Sequence, residues 1–248
     1  MFSHIWNLIL YQPLLNALAA LVSFIPGGDV GIAVILLTII VKIILFPLSQ
    51  ASIKSQAAMT LLAPELNKIK SSGKSKEEQA QMTFELYKKH QTNPFSGCLL
   101  VLVQIPIIFA LYYVFLKGIS FQNGFLYPFI HIPEHINMIF LGIIDISKKS
   151  LPLAILAGVS QYLQAQFMPQ PPKSVLDPET TPSFQESLGK SMNTQMKYVL
   201  PFLIVFIAYR ISGAIALYWI TSNLFAVGQQ IYVAKQKSIL TLKSKIVE

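Results

Sequence analysis

Long apolar blocks alternate with short polar ones along the chain, and the blocks fall at 30–48, 97–117, 150–168, 197–211 and 213–233. A helix needs about 20 apolar residues to cross a hydrocarbon core, so each block predicts a transmembrane helix. The fourth is short and holds Pro201, and only Ser212 and Gly213 mark its joint with the fifth. Those two blocks predict a tight helical hairpin.

The polar stretch 49–96 has a pattern of its own. Ile53, Ala57, Leu62, Leu66 and Ile69 recur at helical spacing, Ser71-Ser72-Gly73 breaks the pattern, and Ala80, Phe84 and Tyr87 resume it. It predicts a helical hairpin rather than a plain connection, although a solvated pair of linking helices explains the individual charges equally well. Residues 1–25 are apolar but interrupted by Pro13 and by His4, Asn7, Gln12 and Asn16. The preferred reading is an amphipathic helix lying on the outer membrane surface, with a sixth span as the alternative. No lysine or arginine precedes Lys42, which argues against a secretory signal peptide.

Composition agrees with the pattern, since 53% of the residues are apolar and 12% charged, and the mean hydropathy is +0.55. That is a membrane composition. The net charge of +8 is spread over short segments between the apolar blocks, which reads as topology and not as a nucleic-acid surface. Lys54, Lys68, Lys70, Lys74, Lys76, Lys88 and Lys89 lie in 49–96, Lys173, Lys190 and Lys197 at the next inward segment, and Lys235, Lys237, Lys243 and Lys245 in the tail. Against these fourteen, the other side carries Lys117, Lys148, Lys149 and Arg210. The positive-inside rule then places 49–96, 169–196 and the basic tail 234–248 in the cytoplasm, and segments 1–29 and 118–149 outside. Cys98 is single, so no disulfide, zinc or redox pair is available. No Gly-rich phosphate loop, HExxH or GxSxG motif is present, and neither cofactor, metal nor covalent catalysis is expected.

The first block reads Leu37-Thr38-Ile39-Ile40-Val41-Lys42-Ile43-Ile44-Leu45-Phe46-Pro47-Leu48. After the polar stretch come Asn93-Pro94-Phe95-Ser96-Gly97-Cys98, Gln104-Ile105-Pro106-Ile107 and Ala110-Leu111-Tyr112-Tyr113. Later come Gly158-Val159-Ser160 with Tyr162-Leu163-Gln164, then Leu217-Tyr218-Trp219 with Ser222-Asn223 and Gln229-Gln230. In order and spacing over about 30–233 these resemble the Oxa1/YidC/Alb3 family of membrane protein insertases, in the short bacterial YidC-like form without a large periplasmic domain. The family most often has arginine where Lys42 stands, and commonly a proline where Ile211 stands.

The resemblance implies an all-α polytopic protein of the bacterial cytoplasmic (inner) membrane. Five core transmembrane helices would surround a hydrophilic groove, with a cytoplasmic helical hairpin and a cytoplasmic C-terminus. It implies nascent membrane proteins as substrates, with the ribosome, the Sec translocon and the lipid bilayer as partners, and no direct recognition of nucleic acid beyond ribosome contact.

Lys42 carries the physical case for a groove. A charged side chain deep in a span costs about 2.5 kcal/mol or more. Asp29, Glu134 and Asp145 all fall in outer segments, so no span supplies a counter-ion. Snorkelling toward Leu48 is the plain alternative. A cation without a buried carboxylate argues instead for a hydrated cavity. Gln104, Gln161, Gln164, Ser222 and Asn223 are candidates to line it, each also readable as an interhelical hydrogen-bond partner. Gln164 and Trp219 match positions that the family places on its groove. Two other classes stay open at this point: a small-ion or proton-coupled transporter, and a passive assembly scaffold. A proton relay wants intramembrane Asp, Glu or His, whereas His4, His90, His131 and His135 lie outside the core blocks.

Overall fold

The structure, a computed structural model, describes residues 2–90, 92, 96–115, 121, 124–168 and 194–247, with backbone alone at 2, 3, 60, 63, 70, 96–101 and 236–247. Asn93-Pro94-Phe95, Lys117 and most of the segment 169–196 lie outside the described residues, as does the side chain of Cys98.

The chain opens as helix. Phe2–Trp6 (α1) passes through one π-helical turn, Asn7–Tyr11, into Gln12–Phe24 (α2). Pro13 sits in the first turn of α2, where a missing N–H is tolerated. Leu15, Leu18, Ala19 and Val22 form one buried face of α2, and the helix packs against Val30–Ile44 (α3). By length and composition, His4–Phe24 is among the described residues the one unbroken helix able to cross a membrane. It is also the segment whose sequence suggested a place on the outer surface.

Helix α3 ends sooner than its apolar block. It stops at Ile44, and Phe46–Leu61 (α4) leaves at an angle of 63°, so the expected span 30–48 bends at Leu45. Pro47 offers no N–H to the carbonyl one turn back and sits in the first turn of the new helix instead. The bent pair α3 and α4 together pass the same test for a span. The remaining helices are shorter or carry polar positions along one face.

Beyond α4 come Ala63–Lys70 (α5) and Lys76–Lys89 (α6), which form the hairpin. The break falls at the expected Ser71-Ser72-Gly73, with Gly73 at φ +68°, a conformation open to glycine. A capping box starts α6: Ser75 Oγ accepts from Glu78 N at 3.3 Å while Glu78 Oε2 accepts from Ser75 N at 3.2 Å. Leu62, Leu66, Ile69 and Leu86 close a small core of their own, flanked by Met82 and Tyr87. Phe84, expected on that inner face with Ala80, points outward and is 71% exposed. The face that meets α5 is the one carrying Met82 and Leu86, four positions apart.

Ser96–Tyr113 (α7) contains Pro106 and packs against α4. Between α7 and the next helix a two-stranded hairpin pairs Ile139–Phe140 (β1) with Ile144–Asp145 (β2), Ile139 opposite Asp145 and Phe140 opposite Ile144. Among the described residues, these short strands and an isolated bridge between Asp29 and Asn137 are the departures from helix and turn. Leu151–Phe167 (α8) follows, capped by Ser150. A π-helical turn, Gln195–Val199, leads into Leu200–Arg210 (α9), and Gly213–Val247 (α10) closes the chain. The joint at Ser212 is the predicted one, but α10 runs helical through the expected tail 234–248 as far as Val247.

Helix α8 packs against both α9 and α10, and α10 also against α3 and α4. A Cβ on Gly158 would overlap the Val205 side chain and lie 3.1 Å from the Pro201 carbonyl, so its absence lets α8 and α9 meet closely. The stretch around β1 and β2 stitches two helix starts. Asp29 caps α3 through Ile32 N at 3.1 Å and also accepts from Leu141 N at 2.8 Å. Gly213 N donates to the Lys148 carbonyl at 2.9 Å and Ala214 N to that of Ile146 at 3.1 Å. Those are N–H groups that a helix start cannot satisfy internally. On the outside of α8 and α9, Ile155, Val159, Phe202 and Phe206 stay exposed, a wide apolar surface that suits lipid better than water.

Candidate functional site

Three helices meet at Lys42. It lies in the last turn of α3 and donates from Nζ to Gln104 Oε1 of α7 at 3.3 Å. Gln104 in turn gives Nε2 to the hydroxyl of Tyr218 on α10. Gln104 is therefore spent on side chains, not on the backbone groups freed by Pro106. Lysine has donors alone, and the acceptor it meets here is a neutral amide.

Below this contact opens a cavity of about 330 Å³. One wall is the face of α10 on which Trp219, Ser222, Asn223, Ala226, Gln229 and Gln230 follow at helical spacing. Gln161 and Gln164 of α8 face it, Lys42 and Gln104 stand at α3 and α7, and Leu200, Leu203, Ile204 and Ile207 of α9 supply an apolar wall. All seven residues singled out from the sequence, Lys42, Gln104, Gln161, Gln164, Trp219, Ser222 and Asn223, line this one space. Among the described lining residues there is no carboxylate.

The polar groups are held to different degrees. Asn223 Nδ2 donates to Ser160 Oγ at 3.0 Å, and Ser160 Oγ to the Ala157 carbonyl at 2.8 Å, which locks α10 to α8. Gln229 Nε2 reaches Ser49 Oγ at 2.6 Å and the Phe46 carbonyl at 3.2 Å, on the far side of the bend. The side-chain carbonyl of Gln230 is buried and meets no donor among the described residues.

Sequence reasoning missed Ser49, Gln56, Ser160, Tyr218, Gln229 and Gln230 as members of this site. Gln229 and Gln230 lie seven positions beyond Ser222 and Asn223, two turns along one helical face, so the α10 spacing already contained them. Ser49 and Gln56 belong to α4, and although Pro47 marks a break in the sequence, nothing there gives the 63° direction that swings them beneath α10. Chemically the arrangement offers one cation, several amides and hydroxyls, and an apolar wall. It can hold polar segments and attract anionic ones, and among the described lining residues there is no paired acid and base.

Comparison with known proteins identifies the family. The family model described as 60Kd inner membrane protein matches residues 21–239. A membrane protein insertase YidC of Fusobacterium nucleatum subsp. nucleatum is 35% identical over 213 residues, covering 84% of this chain and 88% of that protein. The membrane protein insertase YidC of Clostridium tetani is 33% identical over 213 residues, with coverages of 85% and 84%. That of Ectopseudomonas mendocina is 31% identical over 210 residues, 84% of this chain but 31% of that longer protein. A crystal structure of an active YidC insertase with its first transmembrane domain resolved gives a TM-score of 0.49 at 24% identity, over 80% of this chain and 40% of that one.

Proposed function

The chain belongs to the 60Kd inner membrane protein family, and from that premise we propose that it is a membrane protein insertase that moves nascent integral membrane proteins into the bilayer and helps them fold. The observation that carries the reading is Lys42, partnered by the neutral Gln104 on a cavity without a carboxylate among its described lining residues. Such a cation has its charge available to an arriving anion.

In this reading the core forms five spans with the C-terminus in the cytoplasm, and the cavity is the inner part of a hydrated groove. A polar or acidic segment that precedes a substrate's transmembrane helix enters the groove and crosses part of the bilayer without meeting hydrocarbon, where each unsatisfied polar group costs several kcal/mol. Lys42 draws acidic residues in. Two unit charges 4 Å apart attract by about 1 kcal/mol in bulk water and by about 4 kcal/mol at an effective dielectric of 20, so a partly dehydrated groove makes the pull useful. The substrate's apolar helix then leaves sideways into lipid. No step needs a nucleotide or a covalent intermediate. The hairpin α5–α6 receives the substrate, the ribosome or the Sec translocon.

The test is reconstitution of the chain into vesicles with a purified single-span protein, reading protection of its translocated tail from protease. Protection that depends on the chain and not on ATP supports the reading. Equal protection in empty vesicles refutes it. In depleted cells, a survey of which small membrane proteins fail to insert would define the substrates.

A further inference from the structure

The strap between β2 and α8 gathers charge at the end of the bundle where α9 turns into α10. Gly213 N donates to the Lys148 carbonyl at 2.9 Å, and Arg210 stands three positions before Gly213. Three positions of chain span about 11 Å at most, so Arg210 and the pair Lys148-Lys149 surround one joint. They are three of the four cations that the sequence set apart from the other fourteen, and all three are exposed. Lys148 is spent. Its Nζ lies 2.9 Å from Asp145 Oδ2, while Asp145 Oδ1 accepts from Ser147 Oγ at 2.5 Å and from Ser147 N at 3.1 Å. That leaves Arg210 and Lys149, which meet no carboxylate among the described residues. The N–H groups that open α10 are bonded to carbonyls of the same strap, so the positive charge offered at the joint is that of side chains.

We propose that this joint binds the headgroup of an anionic phospholipid, with Arg210 and Lys149 on its phosphodiester and its acyl chains along α9. Two observations besides the charge select that ligand. Phe202, Phe206 and Arg210 follow at four-residue intervals on one line of α9, and both rings are exposed, so an apolar track ends on a cation. The Arg210 guanidinium lies 5.0 Å from the Phe206 ring centre, a cation–π contact that steadies it at the head of that track. A guanidinium presents paired donors that match phosphate oxygens and is more weakly hydrated than an ammonium. A free phosphate or an acidic peptide uses the cations but not the track. A zwitterionic lipid uses the track but brings its own ammonium to the cations, and an anionic lipid satisfies both. None of Lys149, Phe202, Phe206 and Arg210 lines the cavity, so the site is separate from the one built around Lys42.

The experiment puts a tryptophan reporter on the track, Phe206→Trp in the full chain, in vesicles that mix phosphatidylcholine with phosphatidylglycerol. One of the two lipids carries brominated acyl chains, which quench an indole on contact, and the parent's Trp6 and Trp219 give the background to subtract. Phosphatidylglycerol is expected to win over phosphatidylcholine at the reporter by about five-fold or more in apparent affinity, the scale of one basic residue at an anionic surface. Removing both charges, with Arg210→Gln and Lys149→Gln together, is expected to bring the two lipids level, and Arg210→Lys to stay within about two-fold of the reporter chain. A second reporter at an exposed position of α7, Phe109→Trp, is expected to show no preference. Equal quenching by the two lipids at position 206 overturns the proposal. So does a preference that survives the loss of both charges, or one that Phe109→Trp shares in full, since the net charge of the chain then draws anionic lipid everywhere. A loss in Arg210→Lys as complete as in the double variant overturns it too, because charge is then not what the joint offers.

Discussion

Gln229 on α10 donates to Ser49 Oγ at 2.6 Å, across 180 positions of chain, and so ties the long last helix to the bend between α3 and α4. The same amide reaches the Phe46 carbonyl at 3.2 Å. The bend puts Ser49 and Gln56 beneath α10 as cavity lining, so this contact maintains the shape of the site from outside the Lys42 region.

A first prediction follows for that contact. Gln229→Leu leaves Ser49 and the Phe46 carbonyl without their amide partner and is expected to destabilise by about 1–3 kcal/mol. At this chain length that lowers the thermal midpoint by several degrees, at roughly 2–4 °C per kcal/mol. Ser49→Ala removes the hydroxyl's contacts with Gln229 but keeps the amide's bond to the Phe46 carbonyl, and should have the smaller effect. Thermal unfolding in detergent checks both, and equal midpoints for Gln229→Leu and the parent would show that the bend is set by Pro47 alone.

For Lys42 the charge, not one geometry, is expected to assist substrates. Lys42→Arg should retain activity, while Lys42→Met and Lys42→Glu should impair insertion, most for substrates with acidic outer segments. Complementation in depleted cells, with protease protection of one acidic and one neutral substrate and equal abundance of each variant, measures this. If Lys42→Glu inserts both as well as the parent, the electrostatic mechanism fails and snorkelling accounts for the residue.

The hairpin is expected to serve reception rather than stability. Four buried residues, Leu62, Leu66, Ile69 and Leu86, are worth about 2 kcal/mol each at full burial. Ordering each backbone position costs about 1–2 kcal/mol, so α5 and α6 add little net stability to the membrane core. Shortening the turn across Ser71–Ser75 should leave a folded protein in the membrane and reduce insertion. Disappearance of the folded protein would assign the hairpin to the fold instead.

Topology has a direct test in single cysteines at positions 4 and 238, in a background where Cys98 is replaced. The expected result is labelling of position 4 from outside and of position 238 from the cytoplasm. The helix His4–Phe24 is long and apolar enough to cross, and labelling of position 4 only from the cytoplasm would make it a sixth span.

At the start of α3, Asp29→Ala removes both the helix cap and the acceptor for Leu141 N. A lost cap costs about 0.5–2 kcal/mol, and the orphaned Leu141 N–H adds to it. Asp29→Asn keeps one acceptor oxygen and should recover part of the loss. A midpoint unchanged in Asp29→Ala would mean that water replaces the carboxylate at no cost.

Amino-acid sequence alone determined what depends on neighbours within a few turns. The apolar blocks dictated helices, Ser71-Ser72-Gly73 dictated the hairpin break, Ser212 and Gly213 the joint between α9 and α10, and a lone lysine in an apolar block pointed to a cavity. The helical period further aligned Trp219, Ser222 and Asn223 on one face. Tertiary structure decided which of those local features meet. Gln104 binds Lys42 from 62 positions away and Asn223 binds Ser160 from 63, and no spacing rule links residues that far apart. The 63° bend at Leu45 moved Ser49 and Gln56 into the cavity, and α6 turned Leu86 inward and left Phe84 outside because its partner α5 presents a face that only the packed hairpin defines. Periodicity is a property of one helix, set by backbone geometry that repeats every few residues. Partner choice is a property of two surfaces, set by shape and by hydrogen-bonding groups that the burial of both leaves no other way to satisfy.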